Sequence, residues 1–403
     1  MTITDRRNAA SLALPAALAI AFFIGYDIQL VAVAAPRILE SLTLSSRQMG
    51  ALFAASNFGL FFGSLIGGRL GDRFGYRNML LVAVAIFGAF TLLTAPMRDF
   101  LPLALVRTAC GFGFGCALPN LLNVGTLIGS QDSRYSVTAT IFWAIPLGGL
   151  IAAGVAWRLP AEVDWMWLFI AGGLLSMACI LFGGMTLPGG SAAKTQPGPS
   201  SRGILGALFG KGQSITTLLI WLTFISSYVA SYVASNWFPV LAMHRGISRE
   251  HAPLTLVAFS VSGIFGTLLI GRMADRFGPR WPISISWIIT AASLALLSFV
   301  QNPNVIFPVA AAVGFTSSGA CISLYALTTF YYPPSVRGLG SGAGIGAARV
   351  GAIAGPLYAG FLLDDGFSVS QVALLPAIFA IIATIAITSL SFRPTVDEAD
   401  PQV

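Results

Sequence analysis

Long apolar runs separated by short polar segments fill nearly the whole chain, and twelve of them are long enough to cross a lipid bilayer. A membrane-spanning helix takes about 20 mostly apolar residues. None of the runs alternates apolar and polar positions as the strands of a membrane barrel do. The pattern predicts an all-α membrane protein with twelve transmembrane helices, at approximately 11–37, 48–69, 78–96, 100–128, 135–157, 164–187, 214–242, 252–271, 281–300, 304–331, 337–363 and 369–391.

The composition is that of a protein embedded in lipid. Hydrophobic residues make up 56% of the 403 positions and charged residues 9%, whereas a soluble domain carries about 25% charged residues. The net charge of +7 does not indicate a nucleic-acid partner, because the basic residues stand singly or in small groups between apolar runs. The four cysteines form no CxxC pair and have no histidine nearby, so no metal site and no disulfide framework are predicted.

One polar segment divides the chain. Residues 188–213 are rich in Pro, Gly and Ser, which is the composition of a flexible linker. The sequence thus predicts an N-terminal six-helix half at 1–187, a cytoplasmic linker at 188–213, a C-terminal six-helix half at 214–391 and a cytoplasmic tail at 392–403.

The distribution of Arg and Lys predicts the orientation in the membrane, because these residues are enriched on the cytoplasmic side. If the N-terminus lies in the cytoplasm, 14 of the 22 basic residues fall in cytoplasmic segments and six on the opposite side, while Arg107 and Arg349 fall inside spans. We therefore expect a multi-pass membrane protein with both termini in the cytoplasm.

A ten-residue segment recurs at half-chain spacing. Gly-Arg-Leu-Gly-Asp-Arg-Phe-Gly-Tyr-Arg covers 68–77, and Gly-Arg-Met-Ala-Asp-Arg-Phe-Gly-Pro-Arg covers 271–280, which is 203 residues later. Six spans separate the two copies, an even number, so the two halves have the same orientation, as in transporters built from parallel repeats. The alternative is that both segments are ordinary positively charged loops at the membrane surface.

The repeated segment resembles the signature loop of the major facilitator superfamily, except at Tyr76 and Pro279, where that family usually has a basic residue. The resemblance covers the whole chain and implies the twelve-helix major facilitator fold. It also implies that the two loops control conformational gating by bridging helices at the cytoplasmic side. The residues to which we assign this role are Gly68, Asp72, Arg73, Gly271, Asp275 and Arg276.

Further segments are similar to the aromatic acid:proton symporter family, and most of all to its hydroxyphenylpropionate and hydroxybenzoate transporters. These segments are 25–27, 107–120, 236–239, 324–327 and 331–356. This resemblance implies proton-coupled import of an aromatic carboxylate across the bacterial inner membrane. The chain departs from the family at Ile24 and Leu127, where the family usually has acids that are candidates for proton handling. The departure bears on the coupling mechanism more than on the substrate class.

Three ionisable residues fall well inside predicted spans, where a charge is costly and marks a candidate functional site. Asp27 is predicted to carry the proton, with a permanent ion pair to an arginine as the alternative. Arg349 is predicted to bind the substrate carboxylate, because the guanidinium fork suits bidentate binding. Arg107 lies in the outer half of its span and is predicted to contact the substrate, or else to face water or a lipid headgroup. Two arginines against one aspartate favour an anionic substrate.

Aromatic and amide side chains complete the predicted substrate site, which should be largely apolar with few polar groups. The candidates for stacking on a ring are Tyr26, Trp143, Trp237 and Tyr325, and those for bonding to a substrate hydroxyl are Asn120, Asn123 and Asn236. The alternatives are packing for the rings and hydrogen bonds between helices for the amides.

We therefore predict a secondary transporter, not an enzyme and without a cofactor, that imports a small aromatic carboxylate with protons by alternating access. We expect it to act as a monomer in the bilayer. One alternative is an exporter, or a carrier of another organic anion. Another is a transporter-like sensor that binds without translocating, although the linker of only 26 residues disfavours an added signalling domain.

Overall fold

Twelve long helices make up nearly all of the protein that the computed structural model describes, which is residues 3–128, 134–160, 162–188, 209, 214–300, 302–332 and 337–390. Each helix is long and apolar enough to cross a membrane, and these ranges contain no strand, so the predicted all-α membrane fold is confirmed. The helices are α1 (Ile3–Ser41), α2 (Ser46–Phe74), α3 (Tyr76–Thr94), α4 (Phe100–Ile128), α5 (Arg134–Arg158), α6 (Met166–Thr186), α7 (Ser214–His244), α8 (Leu254–Phe277), α9 (Arg280–Phe299), α10 (Ile306–Tyr331), α11 (Arg337–Asp364) and α12 (Val369–Thr388).

The two copies of the repeated segment are mostly helical rather than loops. α2 and α8 continue past their predicted ends to Phe74 and Phe277. The chain turns only at Gly75, with φ of 90°, and at Gly278, with φ of 78°. Residues with a Cβ rarely adopt such a φ, so these two glycines fix where α2 and α8 end.

The repeat has the same geometry in both halves. Arg77 donates to the carbonyl oxygen of Gly184 near the end of α6, and Arg280 donates to that of Thr388 at the end of α12. The last carbonyls of a helix lack partners within the helix and carry a partial negative charge. Each arginine therefore ties the start of the third helix of its half to the end of the sixth.

Close helix contacts within each half depend on glycine. A Cβ at Gly59 of α2 would lie 1.9 Å from the carbonyl oxygen of Thr108 in α4. A Cβ at Gly266 of α8 would lie 1.8 Å from the carbonyl oxygen of Phe315 in α10, and the pair at the same repeat positions of the first half is Gly63 and Phe112, at 2.2 Å. The domain limits stay a prediction, because only Pro188 and Phe209 of the linker are among the described residues.

The two halves meet most closely at the end of the molecule remote from the described start of α1 and end of α12, which we call the closed end. Here α2 packs against α11, and a Cβ at Gly360 would lie 2.5 Å from the carbonyl oxygen of Ser46. Among the described residues, three ion-pair contacts at the surface join the halves at this end, two of them made by Arg47. Arg47 Nη2 lies 3.3 Å from Asp365 Oδ1, and Arg249 Nη1 lies 2.6 Å from Glu40 Oε2.

Candidate functional site

Asp27 and Arg107 form an ion pair inside the N-terminal half. The distance from Arg107 Nη1 to Asp27 Oδ1 is 2.7 Å, and both residues are fully buried. Thr91 of α3 donates its hydroxyl to the other carboxylate oxygen, and the thiol of Cys110 lies 3.8 Å from that same oxygen. A buried charge is tolerated when it is paired and hydrogen-bonded, and this carboxylate meets both conditions.

Arg107 is predicted to contact the substrate, or else to face water or a lipid headgroup, but in the structure it is buried and bonds to protein side chains. Its contact with substrate stays a prediction. Its Nε donates to the Ser56 hydroxyl of α2 at 3.3 Å, and its guanidinium lies 5.6 Å from the ring centroid of Phe169 in α6. Counting residues from a helix end gave the depth of Arg107 in its span. The count did not show on which face of α4 Arg107 lies, and in the structure this face points towards α1.

Arg349 occupies a different environment in the C-terminal half. Among the described residues, the polar groups that interact with its guanidinium are the hydroxyls of Tyr232, Tyr228 and Tyr325. Within the described part of the chain, no carboxylate lies within ion-pair distance of it. Tyr228 stacks on Tyr232 with ring centroids 5.7 Å apart, and its hydroxyl lies 3.3 Å from that of Tyr325. Arg349 thus brings a positive charge to a cluster of rings with polar edges.

A cavity of about 540 Å³ lies between the halves, next to these tyrosines. Helices α1 and α5 supply one wall, and α7, α8 and α10 supply the other. Its apolar lining includes Phe142, Trp143, Phe259 and Ile322, and Tyr228 and Tyr232 also line it. A volume of this size and a mostly apolar lining are typical of a small-molecule site.

A smaller chamber of about 190 Å³ continues from this cavity towards the closed end. Both spaces share Ile28, Gln29, Ser231, Tyr232 and Phe259. The additional polar residues of the chamber are Ser56, Asn57, Ser235 and Asn236, and none of its lining residues is charged. The chamber is therefore polar but neutral, in contrast to the surroundings of Arg349.

The other predicted substrate residues fall into two groups. Trp143 lines the large cavity and Asn236 lines the small chamber, while Tyr325 reaches the site through Tyr228. Tyr26, Trp237 and Asn120 line neither space and make packing contacts instead. The Tyr26 hydroxyl bonds to Leu168 O at 3.4 Å, Trp237 Nε1 bonds to Pro356 O at 3.1 Å, and Asn120 Nδ2 bonds to Gly67 O at 2.9 Å. These contacts fit the alternatives of ring packing and helix-to-helix bonding.

The predicted gating residues lie at the end opposite the closed end. Asp72 accepts a hydrogen bond of 2.8 Å from the Tyr76 hydroxyl. Arg73 and Arg276 each lie 5.3 Å from the ring of the phenylalanine that follows them. No described residue of the opposite half bonds to these side chains or to that of Asp275, which is exposed. A Cβ at Gly271 would meet nothing within 4 Å, and one at Gly68 would lie 4.0 Å from Pro119 Cβ. Their gating role stays a prediction.

The residues of the site that were not predicted from the sequence include Gln29, Asn57, Tyr228 and Tyr232. The signal available for the tyrosines was their spacing of four, which places both rings on one face of α7. Gln29 and Asn57 are single amides in apolar runs, a pattern that does not separate ligand contacts from packing. Among the described residues, no three His, Cys, Asp or Glu side chains cluster to hold a metal ion.

Comparisons with known proteins agree with this architecture. The family model of the Major Facilitator Superfamily matches residues 17–253 and 220–402. The chain is 31% identical to the 3-(3-hydroxy-phenyl)propionate transporter of Escherichia coli strain K12, over 93% of this chain and 92% of that one. It is 28% identical to the gallate transporter of Pseudomonas putida, over 91% and 89%. The fold is similar to that of a mutant of the nucleoside transporter NupG, with a TM-score of 0.79, 18% identity and coverage of 93% and 99%.

Proposed function

Since this chain belongs to the Major Facilitator Superfamily and, within it, to the aromatic acid transporters, we propose that it imports an aromatic carboxylate together with protons. Import takes place across the bacterial inner membrane by alternating access of the cavity between the halves. With both termini in the cytoplasm, the closed end faces outward, and the structure corresponds to the conformation from which substrate leaves to the cytoplasm.

The proposal rests on one observation: among the described residues, Arg349 has no carboxylate partner. The only carboxylate buried among the described residues, Asp27, is already paired with Arg107. Arg349 is left with neutral tyrosine hydroxyls as its neighbours. A substrate carboxylate supplies the missing negative charge, and the guanidinium fork binds it through two parallel hydrogen bonds. The apolar cavity beside Tyr228 and Tyr232 receives the ring.

Asp27 is the proposed carrier of the proton. Protonation removes the negative charge that holds Arg107, so the pair is broken electrostatically each time a proton binds. The arginine that responds to Asp27 is Arg107, not Arg349. Coupling between proton and substrate therefore has to pass from Arg107 to the cavity. Ser56 provides a route, because it accepts a hydrogen bond from Arg107 and lines the small chamber.

Right-side-out membrane vesicles provide the test. With labelled 3-(3-hydroxyphenyl)propionate outside, an inward proton gradient should drive accumulation, and a protonophore should abolish it. Arg349→Gln should lose uptake, whereas Arg158→Gln, on the surface at the end of α5, should keep it. Extrusion instead of uptake would favour an exporter. Transport of non-aromatic anions alone would favour another organic-anion carrier, and binding without any flux would favour a sensor.

A further inference from the structure

The small chamber contains polar groups without partners, and they point to a ligand group. The Nε2 atom of Gln29 is buried and has no hydrogen-bond partner. Asn57 uses its Nδ2 to bond to its own helix, at Phe53 O, which leaves Oδ1 as an acceptor. The side chain of Asn236 makes no hydrogen bond within the described part of the chain. A buried polar group without a partner is costly, so a ligand that satisfies these amides is stabilised.

The chemistry of the chamber selects the kind of ligand group. Amide nitrogens donate and amide oxygens accept, so the walls offer both functions and no charge. A carboxylate there would find no cation, whereas a hydroxyl both donates and accepts. The chamber volume is about 190 Å³, and a cavity of about 150 Å³ holds benzene, so the chamber has room for the hydroxyl-bearing edge of a ring that lies in the larger cavity.

We infer that the small chamber is a recognition site for a ring hydroxyl of the aromatic acid, formed by Gln29, Asn57 and Asn236. This inference rests on the proposed function, because the carboxylate end of the same molecule is held at Arg349. Tyr232 lines the chamber and the cavity and also neighbours Arg349. Arg349 itself lines neither space, so Tyr232 is the residue that connects the proposed hydroxyl site to the proposed carboxylate site.

The location of the amides gives the hydroxyl a second effect. Gln29 and Asn57 belong to the N-terminal half and Asn236 to the C-terminal half, so a hydroxyl bonded to both sides bridges the halves next to the closed end. Here the ring of Phe53 meets that of Trp237 at 5.3 Å, edge to face. A ligand without the hydroxyl leaves the amides unsatisfied and does not make this bridge. We therefore expect the protein to bind an aromatic acid with the ring hydroxyl more tightly than the same acid without it.

Paired ligands test the inference on the purified full-length protein. Isothermal titration compares 3-(3-hydroxyphenyl)propionate with 3-phenylpropionate, which has the same carboxylate chain and no hydroxyl. The parent protein should bind the hydroxylated acid roughly 3- to 10-fold more tightly, the value of one net hydrogen bond. Asn236→Leu and Gln29→Met should each bring this ratio close to one while 3-phenylpropionate binds as before. Asn123→Leu, an amide of α4 outside both spaces, should leave the ratio unchanged.

The outcomes separate this inference from the proposed function. If the parent binds both acids equally, or if both chamber variants keep the ratio, the chamber is not the hydroxyl site, although the carboxylate site at Arg349 stands. If the parent binds neither acid, the proposed function itself fails. A variant that weakens both acids by the same factor has lost the site as a whole. In that case the affinity ratio of the two acids in the other variant, whose substitution lies in the opposite half, decides whether the chamber is the hydroxyl site.

Discussion

The glycine contact between α2 and α11 gives a direct test of which helices separate during transport. Replacing Gly360 by alanine places a Cβ 2.5 Å from Ser46 O and 3.0 Å from the Cα of Gly50. Carbon and oxygen atoms do not approach so closely, and both obstacles are backbone. The two helices have to move apart, and this contact joins the two halves. The variant therefore disfavours the conformation in which the closed end is shut.

The magnitude follows from the cost of overpacking. Forcing an extra carbon into a packed contact costs about 1–3 kcal/mol. If only the shut conformation bears this cost, the ratio of open to shut molecules rises roughly 5- to 150-fold, since about 1.4 kcal/mol is a factor of ten. The intrinsic helix preference for alanine over glycine acts equally in both conformations, so it does not alter the ratio.

Accessibility from outside measures the shift. A cysteine at Ser235 in the small chamber, in a Cys321→Ser background, reports opening of the closed end to a membrane-impermeant thiol reagent. Gly360→Ala should raise the labelling rate in right-side-out vesicles. The matched control is Gly59→Ala, whose Cβ would lie 1.9 Å from Thr108 O, a contact wholly inside the N-terminal half. This control should lower the melting temperature and leave the labelling rate unchanged.

The same Gly→Ala substitution is therefore expected to raise the labelling rate at position 360 and to leave it unchanged at position 59. Gly154→Ala, in α5, completes the set, because its Cβ meets nothing within 4 Å, and it should change neither readout. If Gly360→Ala lowers the melting temperature as Gly59→Ala does, with no gain in labelling, the contact persists throughout the cycle. The closed end would then be a permanent joint, and alternating access of this cavity would be refuted.

Three further substitutions test the charged groups. Arg349→Lys keeps the charge but loses the guanidinium fork, so titration should show binding of 3-(3-hydroxyphenyl)propionate weakened by about 1–3 kcal/mol; unchanged affinity would place the carboxylate elsewhere. Asp27→Asn should keep binding and exchange but lose accumulation driven by a pH gradient in proteoliposomes; accumulation like that of the parent would leave a static ion pair as its role. Asp72→Asn weakens the bond to Tyr76 and should slow turnover with affinity within a few-fold; a large affinity loss at normal turnover would contradict the gating assignment.

The bilayer explains why the fold was predictable from the sequence. Its thickness sets the length of every span, so apolar runs alone located the helices, and α4 was predicted at its observed limits, 100–128. The repeat at 68–77 and 271–280 was recognisable for a similar reason, since both copies need the same turn glycine and the same arginine at the end of a neighbouring helix. Each of these requirements concerns a short segment of the chain, so it is visible as a pattern in the sequence of that segment.

The composition of the site was less predictable, because it depends on which helix faces meet. Asp27 and Gln29 stand two residues apart, which is about 200° around a helix. The first therefore faces Arg107 within the half, and the second faces the space between the halves. Hydropathy gives both positions the same description, a polar residue in an apolar run. Only the packing of α1 against α4 and α5 separates a paired charge from an open amide.

The charges buried in the two halves also limit what a transport cycle can carry. Asp27 is the only buried carboxylate among the described side chains, and Ile24 and Leu127 occupy the two family positions for further acids. One buried acid carries one proton, and one proton with one monocarboxylate transfers no net charge. The pH gradient should then drive accumulation by about tenfold per pH unit, since one unit equals about 1.36 kcal/mol. Accumulation in proteoliposomes should be the same with and without a valinomycin-induced potential. A clear response to that potential would require a second proton, and hence a second carrier besides Asp27.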